Sequence, residues 1–73
     1  MKELVILITM FFVEPQLPDA VEVEEDSRGP LVFTSYRECF NYVDKHVEGL
    51  KKFGMTVYPK AVAVRTISCV EKN

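Results

Sequence analysis

An α+β fold, with a small three- to four-stranded sheet and one amphipathic helix packed on one face in strand-hairpin-helix-strand order, is predicted by three features of this sequence. Leu4 to Val13 is an apolar run, interrupted only by Thr9 and rich in β-branched and aromatic residues, the pattern of a buried strand. Tyr36 to Phe53 repeats apolar residues at helical spacing behind the capping sequence Ser35-Tyr36-Arg37-Glu38. Ala61 to Val70 reads as a second long strand of small and branched residues. A chain of 73 residues has room for one core, so residues 1–73 are expected to form a single domain.

The first run is apolar at both parities. Leu4, Ile6, Ile8, Met10 and Phe12 share one face, and Val5, Leu7, Thr9, Phe11 and Val13 the other, as in a central strand covered on both sides. Its length also suits the apolar stretch of a signal peptide behind Lys2, but Glu3 and the lack of a small-x-small cleavage site favour a strand. It is too short to span a bilayer, and no membrane partner is expected. Pro15 and Pro18 end the pairing. Val21 and Val23 then alternate with Glu22 and Glu24 in a half-exposed edge strand, Ala20 to Glu25. Asp26-Ser27-Arg28-Gly29 carries turn chemistry, and Pro30 leads into Leu31-Val32-Phe33-Thr34, the expected second arm of a hairpin.

In the helix, Tyr36, Cys39, Phe40, Val43, His46, Val47, Leu50 and Phe53 fall on one arc, opposite Arg37, Asn41, Asp44, Lys45, Glu48, Lys51 and Lys52. Gly54 supplies a left-handed stop. Met55-Thr56-Val57-Tyr58 begins the return, Pro59-Lys60 interrupts it, and Glu71 to Asn73 is expected to fray after the last strand.

Composition bounds the function. With 48% hydrophobic and 27% charged residues the chain is neither disordered nor of low complexity. A net charge of −2 and scattered lysines give no basic surface for nucleic acid. Cys39, Cys69 and the one histidine, His46, are too few for structural zinc. Glu14, Asp19, Glu22, Glu24, Glu25 and Asp26 lack the spacing of a calcium loop, and no glycine-rich phosphate loop follows a strand. No metal or cofactor is therefore expected. Cys39 and His46 lie two helical turns apart, roughly 10 Å, too far for a catalytic dyad. With no other nucleophile or acid–base pair, the chain is expected not to be an enzyme.

Two features invite a sharper statement. Cys39, inside the apolar arc, and Cys69, near the end of the last strand, are placed to meet across the helix–sheet interface; the alternative is two buried reduced thiols. The apolar excess of the first strand leaves a face that one helix cannot cover. Self-association into a homodimer through that face is favoured, with Phe11, Phe12, Val5 and Leu7 as candidate interface residues. A different protein partner, or the loop Glu14 to Asp19 folded over the face, would do the same. Two other functions stay open: a small-molecule binder or enzyme with a pocket at the dimer interface lined by Tyr42, His46 and Tyr58, and an exported domain stabilised by a disulfide.

Phe33-Thr34-Ser35-Tyr36-Arg37-Glu38-Cys39 at the helix start and Ile67-Ser68-Cys69-Val70-Glu71-Lys72 at the chain end give a sequence that resembles short proteins encoded in bacteriophage genomes, marine ones in particular. Such proteins begin Met-Lys with an aliphatic run, carry Glu-Cys at a helix start and end in a Cys-containing strand. The resemblance implies a small accessory protein that meets a host protein inside the infected cell, in the host cytoplasm rather than exported. It lends no catalytic residues.

Overall fold

The computed structural model describes residues 3–26 and 28–72. The chain folds into β1 (Leu4–Phe11), β2 (Ala20–Val23), β3 (Glu25–Asp26), β4 (Gly29–Pro30), α1 (Tyr36–Lys45), α2 (Val47–Val57) and β5 (Ala63–Glu71). This is an α+β architecture. The main sheet is antiparallel with order β2-β1-β5, so the apolar first strand is central and pairs with the last one from Leu4↔Glu71 to Phe11↔Ala63. Against β2 it runs from Ile6↔Val23 to Thr9↔Ala20.

Both helices lie against one face. Ile6, Ile8, Met10 and Phe12 form the core there with Cys39, Val43, Leu50 and Cys69, as the alternation of β1 requires. Ser35 caps α1 in an extended conformation, and its Oγ accepts from the Glu38 amide at 3.2 Å. A disulfide joins Cys39 on α1 to Cys69 on β5. It pins the helix layer to the edge of the sheet.

Four expectations are corrected. The helix is two helices, broken at His46, whose backbone (φ −124°, ψ 24°) leaves the helical region and whose amide is shared between the Tyr42 and Val43 carbonyls. Gly54 does not stop the helix. It is buried inside α2, where a Cβ would stand 3.0 Å from Met10 Sδ and 3.2 Å from Ile8 Cγ2. Its role is close approach of the helix backbone to β1, and helix continues through Met55, Thr56 and Val57. The predicted hairpin arm over 31–34 is also absent as a strand. β3 and β4 instead make a two-residue ladder, Glu25↔Pro30 and Asp26↔Gly29, closed with Gly29 at φ +125°, a conformation that glycine takes without strain. Of the turn residues, Ser27 lies outside the described ones. Leu31 is buried, and Phe33 forms an isolated bridge to Leu4 with both amides bonded, at 2.8 and 2.9 Å. At the chain end, Glu71 is in strand and the Lys72 amide donates to the Glu3 carbonyl at 2.8 Å. Asn73, like Met1 and Lys2, lies outside the described residues.

Valine at position 54 would place branched methyls against Met10 and Ile8. Gly54→Val is expected to destabilise the fold by about 2 kcal/mol, the usual range for overpacking, as read from urea unfolding. An unchanged midpoint would show that the Met10 thioether gives way freely.

Candidate functional site

The second face of the sheet carries no helix. The register places Val5, Leu7, Thr9 and Phe11 there, beside Ala20 and Glu22 of β2 and Thr66, Ser68 and Val70 of β5. Val5 is fully buried and Leu7 partly so, but Phe11 is 51% exposed. The four interface candidates therefore separate. Phe12 belongs to the covered face, where its ring meets Tyr58 edge-on with centroids 5.8 Å apart. Val5 has no surface to offer. Phe11 and, in part, Leu7 remain.

Exposed apolar side chains concentrate at the Phe11 end. Val13 is 79% exposed and Leu17 90%. Val62 is 53% exposed, and its amide donates to the Phe11 carbonyl at 2.8 Å. Here β5 departs from regular pairing: Thr9 faces Thr66 and Met10 faces Val64, so Arg65 is the extra residue of a bulge. Bulges re-aim side chains, and the Arg65 guanidinium reaches across β1 to donate to Asp19 Oδ2 at 3.4 Å. Met10, Phe11, Phe12, Pro15, Gln16, Asp19 and Arg65 line a shallow pocket of about 140 Å³ between them. That is small beside the roughly 300–1,000 Å³ of ligand pockets, yet ample for one apolar side chain. The hydroxyls of Thr9 and Thr66 bond to each other on the same face, so covering this face orphans neither.

Of Tyr42, His46 and Tyr58, expected to line one pocket, the first two are brought together and Tyr58 lies apart from them. Tyr42 stacks on His46 at 4.1 Å between centroids and tilts against Phe33, which pairs with Leu4 at the start of β1. Tyr58 donates from its hydroxyl to the Ala20 carbonyl at 2.8 Å, opposite Thr9. Leu4 and Thr9 are roughly 17 Å apart along a strand. Tyr58 is a tie between α2 and β2, and Tyr58→Phe is expected to lower stability by about 1 kcal/mol, since it leaves the Ala20 carbonyl without this donor. Thermal melting of the variant checks it.

The composition of this end escaped the sequence argument. In the sequence, Val13 reads as part of the first strand and Leu17 as part of a proline loop, while Val62 and Arg65 read as part of the second long strand. The available signals are one apolar residue, Leu17, between Pro15 and Pro18, and one charge, Arg65, inside the otherwise uncharged run Ala61 to Val70. Among the described residues, no three His, Cys, Asp or Glu side chains converge as a metal ion would need, and no helix is long and apolar enough to cross a membrane. No protein-family model, curated protein or solved structure matches the chain.

Proposed function

We propose that this is a non-enzymatic interaction protein that pairs with a second copy of itself through the open sheet face. The observation that supports this most is the run of exposed apolar side chains, Phe11, Val13, Leu17 and Val62, at one end of a face that no helix covers. Strands about 4.8 Å apart, two of them eight and nine residues long and β2 only four, project on the order of 330 Å². Two such faces total at most about 660 Å² and Val5 is already buried within each, so the proline loops must supply the rest of the ~1,000 Å² at which specific interfaces begin. A dimer of that size dissociates on dilution. The helix side then stays free for another macromolecule, and the exposed stacked pair Tyr36 and Phe40, with centroids 6.2 Å apart, is the aromatic contact it offers a host protein in the phage setting the sequence suggests.

Sedimentation equilibrium over a concentration series is the test. A reversible monomer–dimer equilibrium, weakened at least tenfold by Phe11→Ser, is expected. A monomer at every concentration would overturn the proposal.

The buried Cys39–Cys69 disulfide favours a second reading of where the protein works, as a domain exported to an oxidising compartment. Rapid alkylation of protein taken from its producing cells separates the two: alkylated Cys39 and Cys69 return it to the cytoplasm.

A further inference from the structure

We infer that copies also join along the outer edge of β5, strand to antiparallel strand, so that two sheets become one continuous sheet and two such sheets stack through their open faces. This rests on the self-association proposed above and extends it from pairs to a tetramer. β5 ends the order β2-β1-β5, and among the described residues no strand lies beyond it. The bonds on β1 fix the direction of its main-chain groups. Toward β5 the Glu3 carbonyl accepts from the Lys72 amide, while on the other side Met10 donates to the Asp19 carbonyl and Leu4 exchanges bonds with Phe33. From Glu3 to Thr9, odd residues therefore bond to β5 and even residues turn away from it. By register, Thr66, Ser68 and Val70 bond inward to Thr9, Leu7 and Val5, and Ile67 and Cys69 turn their amides and carbonyls outward. Among the described residues no backbone group meets these outward ones.

The two edges of the sheet are unequally guarded. β2 has four residues and carries Glu22; past its end the Glu24 carbonyl accepts from Leu31, and Phe33 fills the edge of β1 beyond it. Short length, charge and covering loops are what keep an edge from pairing. β5 has nine residues, and Thr66-Ile67-Ser68-Cys69-Val70 holds no charge, proline or glycine. A two-fold axis normal to the sheet at Ser68 pairs this stretch with itself. Ile67 then exchanges both backbone bonds with the second copy's Cys69, and Cys69 with its Ile67, while the two Ser68 side chains stand side by side. Such an axis keeps both helix layers on one side of the joined sheet and merges the two open faces on the other. Area favours a second copy as the occupant of this edge. One open face against another gives at most about 660 Å², short of a specific interface, whereas two merged faces stacked give about 1,300 Å² and pass the ~1,000 Å² threshold.

At the upper end of a sedimentation concentration series, dimers are expected to pass into tetramers. A chain assembled by ligation at Cys39 with the Ile67 amide N-methylated loses one outward donor and keeps every side chain and every bond to β1. It is expected to stop at the dimer and, compared dilute, to melt near the parent temperature. Hydrogen exchange of the unmodified protein needs no variant: the Ile67 amide should slow by about tenfold from dilute to concentrated protein. A parent protein that stops at the dimer, a methylated chain that reaches the tetramer, or an Ile67 amide whose exchange ignores concentration would overturn the edge contact and leave pairing through the open face intact. A parent protein that is monomeric throughout would remove both.

Discussion

Reducing the Cys39–Cys69 bridge is expected to take away about half of the stability of this protein. The bridge joins residues 30 apart, and the chain-entropy model gives a loop of that length about 3.6 kcal/mol. A single core in a domain this small contributes about 3–5 kcal/mol net, so the two quantities are of the same size. Urea unfolding with and without reductant should show a midpoint lowered by about half. A reduced protein that unfolds at nearly the same urea concentration would mean that the core alone holds α1 on the sheet. Cys39 is fully buried and Cys69 nearly so, which adds a kinetic expectation. The reductant must wait for the structure to open, and the rate of reduction should level off at high reductant concentration.

The second large effect is expected at Ile8. Its side chain is fully buried beneath α2, within van der Waals reach of where a Cβ on Gly54 would lie, and its backbone sits between Val21 and Ile67 in the middle of the sheet. Ile8→Ala removes three carbons from the best-packed point of the core and should lower stability by about 3–4 kcal/mol. In a domain of this size that lowers the melting temperature by roughly 15 °C or more. Gly54→Ala in the same background is expected to be less harmful than alone. The new methyl occupies space that Ile8 has left, while alanine favours the helix by about 1 kcal/mol over glycine. A double-mutant cycle should therefore show coupling of about 0.5–1 kcal/mol between the two positions. Strict additivity would show that Met10, and not Ile8, limits the approach of α2.

The elements with strong periodicity were legible in the sequence, and the elements set by tertiary contact were not. β1 announces itself through nine apolar residues among the ten from Leu4 to Val13, and the start of α1 through Ser35 and Glu38, because strand patterning and helix capping are local chemistry. Gly54 misled because a glycine after basic residues has the form of a C-cap, whereas the reason for this one lies across the core at Met10. The break at His46 has no local signal in composition; an apolar arc that spans both helices hides it. Leu31 to Phe33 look like a strand and are used as one only at Phe33, since β2 already occupies the remaining edge of β1. At the candidate site, Phe11 could be named from alternation alone. Arg65 could not, because its direction comes from a bulge in pairing that no local pattern encodes.

The adjacency of the two chain ends, where the Lys72 amide meets the Glu3 carbonyl on the antiparallel pair β1 and β5, determines how the molecule would answer a pulling force. Tension applied at Glu3 and Lys72 loads the rungs of that ladder one after another, as a zipper is opened, instead of shearing them all at once. Such a ladder yields at low force, but only as far as Cys69. There the disulfide passes the load to Cys39 on α1 and shields the thirty-residue loop between them. An oxidised molecule would therefore keep residues 40–68 out of its extension, and a reduced one would pay out its full contour length.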